Sequence, residues 1–413
     1  MKKLITVFAL AMASLTLAAQ QNSVGNGKIK MQIGNTSNSP TEQKKDSPEK
    51  TNRNTEGKIT LTLQLKSLPT DSVSIYYQIL SNPDIEVEHT AQLKNGMLKY
   101  EVNINEPIKL MIMPLSLIHK FKNGKFYPTR GSRITCYANP GDQMKIEATL
   151  VDSCLLFTVK GNKVSEQYAL FHNETLDVSK DQIAQAFIFE TKKENERSNE
   201  EVSNYQKIRN NNLRMQEVKA IKFIKQHPNY EASALLMKSI PKDSVISFYG
   251  SLTPEVKKSF FGKEVQRLMN GWFNNTVGKK MPEFEANTIE NKSFKLSNTK
   301  GKYVLLDFWG SWCKPCLDES PQMKALQLKY QQELQIVGLI ANDTKENAIK
   351  AIKQYQLNWT QLFSETNEFG SLFGLREYPT KILIDPAGVV VQIHKGSSDQ
   401  VFKDIEALIS KTK

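Results

Sequence analysis

The run Tyr303-Val304-Leu305-Leu306-Asp307-Phe308-Trp309 restricts the fold more than any other segment of this chain. Its apolar residues are nearly continuous, so a strand built from them needs cover on both faces, as in an α/β layer with helices on either side. Directly behind it stands Trp312-Cys313-Lys314-Pro315-Cys316, and a helical stretch follows. Strand and helix signals then alternate to the end of the chain. Residues 335–340 read as a second covered strand, and Asp343-Thr344-Lys345-Glu346 as a capping box for a helix ending near Tyr355. Residues 381–384 and 389–393 read as a hairpin joined by the type I turn Asp385-Pro386-Ala387-Gly388. Val401, Ile405, Leu408 and Ile409 share one face of a closing helix. Residues 277–413 are expected to form an α/β domain.

The cysteine spacing carries the chemistry. Within the first turn of a helix, residues three apart come close enough to close a small disulfide loop. The first thiol lies at the helix start, where unpaired N–H groups and the macrodipole favour an anion and so lower its pKa. Pro315 suits that turn because its missing N–H costs nothing there. Lys314 adds positive charge beside Cys313. A zinc site would need a second such pair or two nearby histidines, but Cys136 and Cys154 are distant and the five histidines are scattered. Haem attachment would need His after Cys316, where Leu317 stands. An inert structural disulfide stays open on spacing alone. A peroxidase is a further option, although no Thr-x-x-Cys precedes the pair.

Leu305-Leu306-Asp307-Phe308-Trp309-Gly310-Ser311-Trp312-Cys313-Lys314-Pro315-Cys316 resembles the active-site strand and turn of the thioredoxin superfamily. The continuation Leu317-Asp318-Glu319-Ser320-Pro321 resembles its TlpA/ResA-like branch of envelope oxidoreductases. Tyr378-Pro379-Thr380, followed by Leu383-Ile384-Asp385 and Gly388, resembles that branch's proline loop. The resemblance implies a thioredoxin fold, a redox-active disulfide of Cys313 and Cys316, and neither metal nor cofactor. It implies that Cys313 is the exposed nucleophile and Cys316 the buried resolving thiol. Asp307 would be a buried carboxylate that takes a proton from Cys316 through water, its own pKa raised; the other reading is a strand-end cap. Glu319 would sit near the cavity, against the alternative of a solvated helix Glu. Pro379 would be cis beside the disulfide, with Tyr378 offering backbone to an extended partner. Trp312 would shield the thiols rather than merely pack, Lys314 would flank the partner, and Pro321 would bend the helix without stopping it. The implied activity is dithiol-disulfide exchange that reduces disulfide-containing envelope proteins, with electrons from a membrane thiol-disulfide donor. The alternative is an interaction or assembly protein whose thioredoxin domain senses redox state.

Upstream, Lys2 and Lys3 precede an apolar run from Leu4 to Leu17 and small residues at Ala18 and Ala19. Residues 1–19 read as a signal peptide, which places the protein in the periplasm or cell envelope. The first cysteine is Cys136, so no lipobox cysteine stands at that cleavage site, and a soluble protein is expected. Residues 20–57 are polar and read as a flexible linker. Period-two alternation at Ile59-Thr60-Leu61-Thr62-Leu63-Gln64-Leu65 and in later runs marks residues 58–161 as an antiparallel β-sandwich, with turns at Asn95-Gly96 and Asn139-Pro140-Gly141-Asp142. Residues 162–276 read as a helical segment, with one long charged helix across residues 183–224, a break at Pro228 and a new start at Thr253-Pro254-Glu255. Together these stretches resemble the DUF4369-like region that precedes such domains in Bacteroidetes proteins, which implies architecture and no activity. If the strands of Cys136 and Cys154 flank residues 144–148, the thiols stand about 9.6 Å apart, beyond disulfide reach, and stay reduced. The net charge of +12 reads as a basic surface without a specific partner, the alternative being attraction to an anionic surface such as lipid headgroups. Export argues against nucleic acid as the partner.

Overall fold

Alternation of apolar and polar side chains builds the first layers of the computed structural model. It describes residues 30–32 and 57–410, apart from 69, 82–85, 118, 121–125, 128–129, 191, 193 and 365–367. The expected signal peptide and most of the expected linker lie outside the described residues. The strands run β1 (Lys30–Gln32), β2 (Gly57–Lys66), β3 (Ser72–Ile79), β4 (Glu86–Gln92), β5 (Met97–Ile104) and β6 (Ile108–Pro114). A short hairpin of β7 (His119–Lys120) and β8 (Phe126–Tyr127) leads to β9 (Ile134–Ala138), β10 (Gln143–Val151) and β11 (Cys154–Lys160). Two four-stranded sheets result, ordered β11-β10-β2-β5 and β4-β3-β6-β9. Ile59, Leu61, Leu63 and Leu65 of β2 point inward and meet Ile75, Ile112 and Ile134 from the other sheet in one buried cluster. Burial of this kind contributes roughly 25 cal/mol per Å² of apolar surface.

Two details depart from the sequence reading of this region. The sheets are not antiparallel throughout, because β10 lies parallel to β2. These strands are far apart in the chain, so no tight hairpin sets their direction. Cys136 and Cys154 do not flank one strand either: β9 belongs to the second sheet and β11 to the first. Both are free, buried thiols. Burial pushes Cys136 up to about 12 and Cys154 up to about 11.

The helical layer comprises α1 (Lys163–Glu174), α2 (Leu176–Glu190), α3 (Asn199–Gln226), α4 (Glu231–Met237), α5 (Lys242–Tyr249), α6 (Pro254–Lys258) and α7 (Phe260–Asn274). The single helix expected over residues 183–224 is two helices. Ser198 and Glu201 form a reciprocal capping box that starts α3 afresh, a signal hidden inside the charged run. Thr253 caps α6 with Pro254 in its first turn, as its sequence suggests. Phe223, Ile224, Val265 and Trp272 pack together with Tyr137 of β9, which seats this layer on the second sheet. Ser165 strengthens the junction by exchanging hydrogen bonds with the backbone N–H and carbonyl of Tyr137.

The last third begins with β12 (Glu283–Asn287), β13 (Ser293–Lys295) and β14 (Tyr303–Trp309). It continues through α8 (Lys314–Asp318), α9 (Ser320–Lys329), β15 (Leu334–Ile340), α10 (Lys345–Tyr355) and β16 (Thr360–Leu362). It closes with α11 (Phe369–Leu372), β17 (Thr380–Ile384), β18 (Val390–Lys395) and α12 (Asp399–Ser410). The sheet order is β16-β15-β14-β17-β18, with β14 central, parallel to β15 and antiparallel to β17. This is the mixed α/β thioredoxin-like arrangement. Alternation along β14 divides its side chains between two layers. Leu305 and Trp309 join Met323, Ala348 and Ile405 from α9, α10 and α12, whereas Val304, Leu306 and Phe308 join Phe284, Phe294 and Phe369. Asp307 therefore falls on the face that carries α9 and α12. One correction concerns the tether: Lys30–Gln32 lies within residues 20–57 yet pairs antiparallel with β12. Among the described residues, no helix is long and apolar enough to cross a membrane.

Candidate active site

The turn after β14 is held by small, specific contacts. A side chain on Gly310 would collide with the Trp312 indole and come within 2.8 Å of the Ala341 carbonyl oxygen, so glycine is required there. Trp312 Nε1 donates to that carbonyl at 3.2 Å. Asp343 accepts from the Ser311 N–H and from its hydroxyl, the latter at 2.9 Å. The expected capping box is displaced accordingly. Thr344, not Asp343, caps α10 by accepting from the Asn347 N–H, which leaves the Asp343 carboxylate to hold the Ser311 turn.

Cys313 is the N-cap of α8 and is bridged to Cys316, with Cα atoms 5.3 Å apart. The Cys316 N–H donates to Cys313 Sγ at 3.4 Å, so the first sulfur sits where a backbone donor favours negative charge. Cys313 is not the exposed member of the pair in this disulfide form. It is 3% exposed and Cys316 is 9% exposed. Bridged to Cys316, its sulfur is drawn into the cluster of Trp309, Leu317 and Leu383, with Tyr378 packed against it. Trp312 is 51% exposed and meets the Tyr378 ring edge to face at 5.3 Å. Lys314 turns from the thiols to Asp318, 2.7 Å away and one turn on, so its charge is compensated there. Pro321 does more than bend the helix. Lacking the N–H that would bond the Leu317 carbonyl, it accompanies a break at Glu319 that divides α8 from α9.

Beside that break lies a buried group of charges. Asp307 on β14 stands opposite Lys381 on β17 in the strand register. Lys381 Nζ lies 3.1 Å from Asp307 Oδ1 and donates to Glu319 Oε2, and all three residues are buried. Glu319 Oε1 and Asp307 Oδ1 have no hydrogen-bond partner of good geometry among the described residues. Burial holds the Asp307 carboxyl above its usual range despite the nearby lysine. For Lys381, burial pulls the pKa down, but Asp307 and Glu319 outweigh it and leave the ammonium favoured. One cation thus ties the central strands to the helix carrying Cys316. Sequence reasoning placed Asp307 and Glu319 near the thiols but missed Lys381. The available signal was a lysine inside the apolar run Lys381-Ile382-Leu383-Ile384, matched by an aspartate inside the neighbouring apolar strand.

The proline loop closes the site. The Tyr378–Pro379 bond is cis. Burial pushes the Tyr378 phenol up to about 12. The loop leading to it is clamped by the helical layer. Arg376 donates to the carbonyls of Ile240 and Met237, the latter at 3.3 Å, and its guanidinium lies 4.6 Å from the Trp272 ring centre. Trp272 Nε1 donates to Gly374 O at 2.6 Å, and Gly271 abuts the Gly374 backbone so closely that no side chain fits between.

Residues 277–393 match the AhpC/TSA family. A thiol-disulfide oxidoreductase ResA from Bacillus cereus is 35% identical over 149 residues, spanning 35% of this chain and 85% of that protein. A thioredoxin-like protein YneN from Bacillus subtilis is 32% identical over 123 residues, spanning 29% of this chain and 72% of that protein. The solved thioredoxin domain of a thiol-disulfide oxidoreductase from Bacteroides vulgatus is 25% identical, covering 32% of this chain and 98% of that one, at a TM-score of 0.31.

Proposed function

Because the chain belongs, through its C-terminal third, to the ResA-type thiol-disulfide oxidoreductases, we propose that it reduces disulfides of partner proteins in the cell envelope. The observation that carries the reading is the Cys313–Cys316 bridge at the start of α8, beside a cis-proline loop and close to a buried carboxylate pair.

In the reduced enzyme the Cys313 thiolate attacks one sulfur of a partner disulfide. The partner's S–S bond breaks, its electron pair leaves on the second sulfur, and a mixed disulfide forms on Cys313. Cys316 then gives up its proton, and its sulfur attacks Cys313 Sγ. The Cys313–Cys316 bond forms, the mixed disulfide breaks, and the partner leaves as a dithiol with two electrons gained. Asp307, its carboxyl raised by burial, serves as the proton acceptor through water, with Glu319 as the second carboxylate. Lys381 keeps both in place. An external dithiol donor, which we assign to a membrane thiol-disulfide relay, must reduce the bridge for another cycle. The envelope location rests on the signal-like residues 1–19.

The test is capture. Cys316→Ser leaves the attacking thiol without its resolver, so partners should accumulate as covalent adducts that dithiothreitol releases. Cys313→Ser/Cys316→Ser should capture none. If Cys316→Ser retains no envelope protein while the wild type still reduces an artificial disulfide, partner reduction is wrong and a redox-sensing role takes its place.

A further inference from the structure

A cleft of about 920 Å³ lies between the helical layer and the active-site domain. One wall is a single stripe of α7. Phe260, Lys263, Glu264 and Arg267 recur at helical spacing along it, and Phe260 is 37% exposed. Leu375 and Tyr378 form part of the opposite wall, with Arg376 between the two sides. From Phe260 to Arg267 the helix rises about 10 Å, the length of roughly three residues of extended chain.

We propose that this cleft seats an extended stretch of the disulfide-bearing partner polypeptide, so that the helical layer supplies a second wall to the redox site. The inference rests on the exchange activity proposed above and names where its partner lies. Three observations carry it. The cleft is continuous with the redox face: Tyr378 lines it, precedes the cis proline and packs on Trp312, the residue next to Cys313. Asn342 also lines it and hydrogen-bonds Tyr378. The walls are held at fixed separation, because Arg376 bonds two carbonyls of the helical layer and Trp272 bonds Gly374 across the junction. The lining mixes signs: Glu264 pairs with Arg267 at 2.7 Å, and Lys238, Lys263, Glu217 and Glu368 also line it, which suits a polypeptide of mixed side chains rather than a uniformly anionic polymer or lipid surface.

The test compares two substrates on the full chain. Insulin serves as the polypeptide disulfide and 5,5′-dithiobis(2-nitrobenzoate) as the small one, which needs only the thiols. Phe260→Ala/Lys263→Glu should lower kcat/KM toward insulin about tenfold, mainly through KM, while the rate with the small disulfide changes less than twofold. Lys263→Glu alone, at an exposed position, should give a smaller loss of the same kind. Unchanged insulin kinetics in the double variant, or equal losses on both substrates, would overturn the docking site while leaving the exchange activity standing. A wild-type protein that reduces neither substrate would overturn both.

Discussion

Lys381 holds two carboxylates with one ammonium in a place nearly closed to water. Charges so placed are worth little as a net gain but a great deal once one partner is removed, since the survivors stay buried without compensation. Lys381→Met should therefore destabilise the fold by about 3–5 kcal/mol at neutral pH, measured by urea unfolding. Adding Glu319→Gln should recover part of that loss, and a double variant no better than the single one would contradict the charge argument. The same residue marks what the sequence concealed. Asp307 was legible because it precedes the cysteine turn, whereas Lys381 acquires its meaning only from the β14–β17 register, which pairs residues far apart in the chain. Cys313 was legible as the helix cap but not as a buried sulfur, because its cover comes from the remote Tyr378 loop.

At the scale of elements, the β14–α8 turn depends on a carboxylate borrowed from the start of the next helical unit. Asp343→Ala would leave the half-buried Ser311 N–H without its partner, at a cost toward the low end of the about 1–3 kcal/mol of a fully buried orphaned donor. The variant should lose stability of that size in thermal unfolding and reduce a small disulfide more slowly, because Cys313 follows the loosened turn. Local patterns predicted the elements well where one face decides burial. The alternation in β2 and the covered strand β14 needed nothing beyond the sequence. The patterns failed where an end signal was embedded in a charged run, as at Ser198, or where a neighbour's need overrode a cap, as at Asp343. The parallel pairing of β2 with β10 lay beyond reach for another reason, since the two strands are far apart in the chain and no local turn signal joins them.

Across the whole molecule, the helical layer and the redox domain meet through backbone as much as through side chains. Gly271 and Gly374 touch without room for a Cβ, and Trp272 and Arg376 reach across the same seam. Gly271→Val forces this contact apart, an overpacking cost of about 1–3 kcal/mol. Calorimetry should then show the redox domain and the remainder melting separately, where the wild type should give one joined transition. A single unshifted peak in the variant would mean that the seam contributes little.

The placement of Trp312 has an optical consequence. Of the chain's four tryptophans, Trp272, Trp309 and Trp359 are buried, and Trp312 alone stands half in water. A dissolved collisional quencher such as iodide can reach only that indole. The emission it removes comes from the exposed indole next to Cys313 in the chain, so the protein carries an intrinsic probe confined to its redox face.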